Sequence, residues 1–285
     1  SLDNYFSKWN MLSESEEKKK SFIATNKSLI LLLKNGILPL NKKKYLHMDV
    51  KGSNILRNVK DQKDILGIES IKTRLIDWGL AVDFSSISKD RAPYEIFNGP
   101  IQYNTPFSNI LFQDNMKRYI KYFLIRHFRD QSHLPPISKS KLMKKLAEDI
   151  YHTSLQVVGD GHNVYILTLI EELYLPYLNH SQEILGKNII VDYLATILNT
   201  YIDDNYNFHE GKYFHEVYSK NVDIWGFIIS YLDVVNSSKN SLHKSTLVKA
   251  VTKIINVYCF STKYATTPIS IKKLVVDLNK LNTLL

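Results

Sequence analysis

Four polar side chains near the start of the chain have types and spacing suited to phosphate chemistry. Asp49, Lys51 and Asn54 lie in one short run, and Asp77 opens a second run that reads Asp-Trp-Gly. Carboxylate and amide oxygens are ligands that Mg²⁺ prefers, so Asn54 and Asp77 are suited to sharing one magnesium ion. A carboxylate such as Asp49 can orient a hydroxyl group, and a lysine can neutralise phosphate oxygens. Together these groups suit phosphoryl transfer, in which a protein mainly aligns the reactants and compensates negative charge.

The local pattern around these residues predicts a β-hairpin that brings the two runs together. Short apolar segments at 54–57 and 73–76 flank a polar stretch, 58–72, which we interpret as an enlarged hairpin tip. Such a hairpin presents Asn54 and Asp77 at the same end, as a shared metal ion requires.

The two runs resemble the catalytic loop and the metal-binding turn of eukaryotic-type protein kinases. Residues 45–56 read Tyr-Leu-His-Met-Asp-Val-Lys-Gly-Ser-Asn-Ile-Leu, against a family pattern of His-Arg-Asp-Leu-x-x-x-x-Asn that is followed by Asp-Phe-Gly. The resemblance implies transfer of the ATP γ-phosphate to a protein hydroxyl. Asp49 would orient that hydroxyl, and Asn54 and Asp77 would hold Mg²⁺ on the ATP phosphates. Lys51 would contact the transferred phosphate, which favours a serine/threonine kinase.

Two later runs extend this resemblance in the order that the family has them. Residues 99–107 read Gly-Pro-Ile-Gln-Tyr-Asn-Thr-Pro-Phe and resemble the end of an activation segment. Residues 223–227 read Asp-Ile-Trp-Gly-Phe and resemble the opening of the buried central helix of the large lobe. Asp223 can cap that helix, predicted over 223–235, or bind nearby backbone N–H groups. In the family this aspartate holds the backbone of the catalytic loop.

The chain also departs from the family pattern at three positions, of which Met48 concerns regulation and Pro100 and Phe107 concern the substrate class. Met48 stands where many kinases have an arginine that receives an activation-loop phosphate, Pro100 replaces a threonine and Phe107 replaces a glutamate. Methionine offers neither charge nor donor for a phosphate. We therefore expect the order of segment 80–98 to come from apolar packing by Trp78, Phe84 and Phe97.

The predicted fold is mainly α-helical: the large, C-terminal lobe of a protein kinase, over 1–285, with a small β-hairpin and a helical insertion at about 108–222. Apolar periodicity predicts helices at 2–9, 22–40, 115–129, 138–153, 163–179 and 187–203. Neither a glycine-rich phosphate loop nor a Val-Ala-Ile-Lys-like strand precedes the catalytic loop. We expect the N-terminal β lobe to be encoded upstream or supplied in trans by another chain.

Composition sets the broad class of the protein. Its 285 residues, 44% of them hydrophobic, can bury a sizeable core. The single cysteine, Cys259, excludes an internal disulfide and lies in an apolar run that favours a buried, inert thiol. No uncharged apolar run reaches about eighteen residues, so we expect a cytoplasmic protein without a membrane partner. The net charge of +9 permits a nucleic-acid partner, but the lysines are scattered and a protein substrate is favoured.

Taken with the Lys/Asn/Ile/Tyr-rich composition, the motifs and the long insertion resemble the protein kinases of large nucleocytoplasmic DNA viruses. That resemblance implies a location in the host cytoplasm or the virion. The alternative is a catalytically inactive, kinase-like scaffold that uses the lobe and its insertion for binding. Two metal ligands and a base in one chain favour the enzyme, because a scaffold does not need them.

Overall fold

A computed structural model describes residues 1–11, 16–63, 69–97, 102–129, 138–158, 182–236 and 246–284. These residues are mostly helical, and their strands form two small antiparallel sheets of two strands each. The mainly α-helical class with a small hairpin is therefore confirmed. The predicted helix at 163–179 and the Gly-Pro start of the 99–107 run lie outside the described residues.

The chain divides into two compact units. The first comprises Ser1–Ser85, Lys220–Cys259 and Ile269–Leu285, and the second comprises Ser86–Ser219 and Phe260–Pro268. The second unit thus takes in residues 86–107 and 260–268 as well as most of the predicted insertion at 108–222. Each unit is described separately below.

The described helices of the first unit lie at both ends of its sequence. They are α1 (Leu2–Met11), α2 (Glu16–Leu32), α3 (Leu38–Lys42), α9 (Ser219–Ile229), α10 (Leu232–Asn236), α11 (Thr246–Ile255) and α12 (Ile271–Lys280). A π-helical turn, Leu33–Ile37, joins α2 to α3, so the helix predicted over 22–40 exists but begins earlier and ends slightly later. A second π-helical turn, Asn256–Phe260, follows α11 and contains the fully buried Cys259, as predicted.

Two short sheets complete the first unit. Strand β1 (Tyr45–Leu46) pairs with β4 (Val82–Asp83), and β2 (Ile55–Lys63) pairs with β3 (Glu69–Leu75) in the predicted hairpin. The prediction that 58–72 forms an enlarged tip is wrong, since Asn58 pairs with Lys72 and the ladder resumes at Lys63 and Glu69. The polar residues at 58–72 hid this extension of the hairpin in the sequence. It forms because each further strand pair satisfies backbone N–H and C=O groups once the first pairs have formed.

Aromatic rings and a buried polar network hold the first unit together. The ring centroid of Phe6 lies 6.3 Å from that of Phe22 and 6.5 Å from that of Tyr231. These ring contacts join α1, α2 and the link between α9 and α10. Asn26, on α2, accepts a 2.7 Å hydrogen bond from the Tyr231 hydroxyl and donates a 2.8 Å bond to the Leu278 carbonyl of α12. Burial of these polar groups is tolerated because each finds a partner.

The second unit contains five described helices. The helices are α4 (Tyr94–Phe97), α5 (Asp114–Arg129), α6 (Lys139–Val158), α7 (Gln182–Tyr201) and α8 (Glu210–Tyr213), with 3₁₀ turns at Phe107–Phe112 and Thr262–Ala265 and a π-helical turn at Phe214–Tyr218. The predicted helices at 115–129, 138–153 and 187–203 are confirmed as α5, α6 and α7, although α6 begins at Lys139 and α7 ends at Tyr201.

Phe107 lies in the core of this second unit. Its ring centroid is 5.5 Å from that of Tyr193 and 5.6 Å from that of Phe260, and 8% of the residue is exposed. A glutamate here would place a charge among aromatic rings, at a large desolvation cost. The local packing therefore favours phenylalanine at this position. No helix in the described ranges combines the length and apolar character needed to cross a membrane.

Candidate active site

The loop that carries Asp49 is held by a buried carboxylate from α9. Asp223 accepts hydrogen bonds from the backbone N–H groups of His47 and Met48, both at 2.9 Å, and a 2.7 Å bond from the Asn41 amide. The predicted contact between Asp223 and the loop backbone is confirmed, whereas its predicted capping role is wrong because α9 begins earlier, at Ser219. Burial raises the pKa of Asp223, and its three donors oppose that rise by stabilising the carboxylate.

His47 and the backbone of Asn54 join the loop to the Asp-Trp-Gly turn. The His47 Nε2 atom lies 3.1 Å from the Ile76 carbonyl oxygen, so this nitrogen carries the proton. The Ile76 N–H in turn donates a 3.0 Å bond to the Asn54 carbonyl. Ile76 therefore bonds to both ends of the loop. Asp77 directly follows Ile76, the residue whose N–H bonds to the Asn54 carbonyl.

Asp49, Lys51 and Asn54 form one connected group. The Lys51 Nζ atom lies 2.9 Å from Asp49 Oδ1. The Asn54 amide nitrogen donates to Asp49 Oδ2 at 2.8 Å and to the Asp49 carbonyl at 3.0 Å. These contacts fix the Asp49 side chain, which is 5% exposed. The structure thus brings together three of the four predicted site residues.

Asp77, the fourth predicted site residue, is exposed in the turn that follows β3. Its Oδ1 atom accepts a weak 3.4 Å hydrogen bond from the Gly79 N–H. Both described hydrogen bonds of the Asn54 side chain use its amide nitrogen, which directs the amide oxygen to the other side. The exposed Asp77 carboxylate and the Asn54 amide oxygen belong to residues at neighbouring positions of the backbone. Both are oxygen ligands of the kind that a hard cation prefers.

Two residues of these loops adopt backbone conformations that are uncommon outside glycine. Met48 has a φ of 64° and Asp77 has a φ of 63°. A left-handed conformation at a non-glycine residue costs of order 1–3 kcal/mol and persists where surrounding contacts enforce it. At Met48 the bond to Asp223 and burial of the side chain supply that enforcement.

A second carboxylate, that of the half-buried Asp233, lies against the same loop. A Cβ atom at Gly52 would lie 2.5 Å from Asp233 Oδ2 and 3.4 Å from the Cβ atom of Asp3, so only glycine fits there without a shift. Burial raises the pKa of Asp233 to about 7, and the charge of Asp3 adds to the rise. The backbone of the loop therefore packs directly beneath α10.

The packing predicted for segment 80–98 is correct only in part. Trp78 is 50% exposed, and its ring packs against that of His47, with 4.6 Å between the centroids, so it contributes less burial than Phe84. Phe84 is buried, as predicted, and Phe97 is partly buried beneath the Lys117 ammonium group, 3.5 Å from the ring centroid.

Asn41 is a site-supporting residue that the sequence did not reveal. Besides its bond to Asp223, its amide donates a 3.1 Å bond to the Tyr45 carbonyl at the start of the loop. It lies in a lysine-rich stretch at the end of α3, where local sequence favours a solvated surface. Only long-range folding brings it beside α9.

Comparisons with known proteins leave the assignment to the residues themselves: no protein-family model, no curated protein and no solved structure matches the chain.

Within the described ranges, no group of three or more histidine, cysteine, aspartate or glutamate side chains is arranged to hold a metal ion. A magnesium ion at Asn54 and Asp77 would need further oxygen ligands from phosphates and water, as is usual for Mg²⁺.

Proposed function

We propose that this chain is the catalytic large lobe of a serine/threonine-type protein kinase, which transfers the γ-phosphate of ATP to a protein hydroxyl. One observation carries the proposal: Asp223 holds the backbone of His47 and Met48, while Asp49, Lys51 and Asn54 are bonded to one another in the loop that follows. The sequence motif predicts the residue types, and their arrangement supports a common role.

The residues present fit a magnesium–nucleotide complex. Asn54 and Asp77 supply the amide and carboxylate oxygens that Mg²⁺ prefers. When bound, ATP and Mg²⁺ supply the transferable phosphoryl group and the charge compensation for its oxygens. Asp49 would accept the proton of the acceptor hydroxyl and orient it, and Lys51 would neutralise the transferred phosphate. The rigid Asp49–Asn54 contact would fix the distance between the base and the metal.

The nucleotide-covering lobe forms the second part of the proposal. The glycine-rich loop and its strand lysine are not found before Asp49 in these 285 residues. We therefore propose that they come from further sequence of the same protein or from a partner chain. Residues 1–285 alone would bind ATP weakly and transfer phosphate negligibly.

Magnesium dependence tests this function directly. A full-length protein that includes the N-terminal lobe is incubated with radiolabelled ATP and a protein acceptor over a range of Mg²⁺ concentrations. We expect phosphotransfer to cease on chelation, and Asn54→Ala and Asp77→Ala each to raise the Mg²⁺ concentration needed for half-maximal rate or to abolish the reaction. Asp83→Ala, which removes an exposed carboxylate from β4, is the matched control.

The scaffold alternative predicts a different result. A binding module would retain its partners after Asp77→Ala and would show no magnesium-dependent transfer in any form of the protein. That result, obtained with correctly folded full-length protein, would overturn the kinase proposal.

A further inference from the structure

Residues 88–91 form an exposed turn early in the second unit. The Arg91 N–H donates a 3.1 Å bond to the Ser88 carbonyl, and the Ser88 hydroxyl donates to the Asp90 carboxylate. The side chains of this Ser88–Arg91 turn are exposed, so it buries little apolar surface of its own. What holds it in place must come from another element.

One histidine contacts both ends of the Ser88–Arg91 turn through the backbone. The His215 Nε2 atom lies 3.0 Å from the Ser88 carbonyl oxygen and 3.1 Å from the Arg91 carbonyl oxygen. Since both partners are acceptors, Nε2 carries the proton and donates to the two oxygens. The contact does not depend on which side chains the turn carries.

A glycine one helical turn before His215 allows this close approach. A Cβ atom at Gly211 would lie 2.0 Å from the Asp90 carbonyl carbon and 2.2 Å from the Arg91 nitrogen. These are backbone atoms, which cannot rotate away as the end of a side chain can. Gly211 and His215 therefore provide two independent contacts with the same turn.

Phe97, near the other end of segment 86–97, is linked to the same helical stretch through a lysine of α5. Lys117 of α5 lies 3.0 Å from Glu210 Oε2 and 3.5 Å from the ring centroid of Phe97. A cation above an aromatic ring is attracted by the ring quadrupole, so this contact links Phe97 to the start of α8. Residues 210–215 therefore contact the Ser88–Arg91 turn directly and are linked to Phe97 through Lys117.

We propose that His215 is a positioning residue for phosphoryl transfer: with Gly211, it holds the activation segment in order through its backbone, without a phosphate. The proposal rests on the proposed kinase function, in which segment 86–97 belongs to the activation segment. In kinases that have an arginine at the position of Met48, the arginine pairs with a phosphate and orders the segment. The proposal assigns this ordering role to His215. Carbonyl acceptors are always present, so the ordering is constitutive.

Hydrogen exchange and kinetics of the full-length protein test this role together. His215→Ala removes the donor and Gly211→Ala adds the colliding Cβ atom, so both should speed amide exchange in peptides covering 86–97 by tenfold or more. Phosphotransfer to dephosphorylated casein should fall about tenfold in kcat, with the KM for ATP unchanged. His215→Gln places an amide donor near the position of Nε2 and should restore both properties in large part.

His209→Ala is the matched control, because His209 lies one helical turn before Tyr213 and bonds to Asp203 rather than to the turn. It should leave exchange in 86–97 and the kcat as in the parent. If the His215→Ala protein does not fold, His215→Gln and Gly211→Ala give opposite expectations and still decide the matter.

The possible outcomes separate this proposal from the kinase assignment. Unchanged exchange in 86–97 for both His215→Ala and Gly211→Ala would overturn the contact. Faster exchange with an unchanged kcat in an active parent would overturn the positioning role. A parent protein with no phosphotransfer would overturn the proposed function. Faster exchange in the His215→Ala and Gly211→Ala variants of that inactive parent would still support His215 as the source of order in the turn.

Discussion

The loop at 45–54 and the turn at 88–91 are held by opposite kinds of contact. In the loop, the buried carboxylate of Asp223 accepts bonds from backbone N–H groups. In the turn, the imidazole of His215 donates to backbone carbonyls at a site open to water. Loss of the first leaves buried donors without acceptors, whereas water can replace the second. We therefore expect changes around the loop to affect chemistry and global stability, and changes around the turn to affect local order and, through it, kcat.

The largest effect is expected at Asp49, the proposed base. Asp49→Asn keeps an oxygen that can accept the Asn54 amide bond but removes the proton acceptor and the partner of Lys51. The phosphotransfer rate of the full-length protein should fall by about 10²–10⁴-fold, the usual contribution of a general base. Circular dichroism and the unfolding midpoint should stay as in the parent. Retention of robust transfer by this variant would exclude Asp49 as the base.

Removal of the carboxylate that holds the loop should have the next largest effect, on stability. Asp223→Ala leaves two buried backbone N–H groups and the Asn41 amide without this acceptor. Each orphaned group costs about 1–3 kcal/mol, so the free energy of unfolding should drop by roughly 3 kcal/mol or more. Urea denaturation measures the loss.

Asp83→Ala is the control for that measurement. Asp83 also accepts a backbone N–H, from Ser85 at 2.8 Å, but it is exposed and water replaces it. Its removal should cost far less than that of Asp223. Equal losses in the two variants would mean that burial does not distinguish the loop contact.

The pH dependence of stability should reveal the second carboxylate beside the loop. Because burial raises the pKa of Asp233 to about 7, the folded protein retains a proton that the unfolded chain releases between about pH 4 and 7. The free energy of unfolding therefore falls as pH rises through this window, by an amount on the order of a few kcal/mol. Asp233→Asn cannot ionise and should remove most of that fall.

Unfolding titrations at pH 4.5 and pH 8 compare the parent with Asp233→Asn. The variant should be the more stable protein at pH 8, and the two should be similar at pH 4.5. Asp204→Asn, at a fully exposed position, should follow the parent at both values. A parent whose stability is the same at both values would show that Asp233 stays ionised near Gly52.

The smallest effect is expected from the hydroxyl groups of segment 80–98. Replacing Ser85, Ser86 and Ser88 with alanine and Tyr94 with phenylalanine should change phosphotransfer by less than about tenfold, or some 1.4 kcal/mol. Met48 offers no cation for a phosphate, and the His215 contacts use carbonyl groups that survive these substitutions. Phosphatase treatment of the parent is the companion measurement. A larger loss in both experiments would require a cation that receives a phosphate.

Several elements could be predicted because their signals are local. The helices within α2, α5, α6 and α7 follow from apolar periodicity, and Asp49, Lys51 and Asn54 share one loop because they are close in sequence. The hairpin was predicted from its apolar ends, but its length was not, because backbone pairing continues through polar residues. The start of α9 was misplaced because Asp223 suits a cap as well as a buried acceptor.

By itself, the sequence determined which groups are available for chemistry and the mainly helical class, since residue type and apolar spacing act within a few residues. Tertiary structure alone decided the partners of those groups. Asn41 meets Asp223, Gly211 meets the Asp90 backbone, Trp78 stays exposed and Phe107 enters an aromatic core. These outcomes depend on contacts between residues far apart in the chain, whose distances and burial no local pattern encodes.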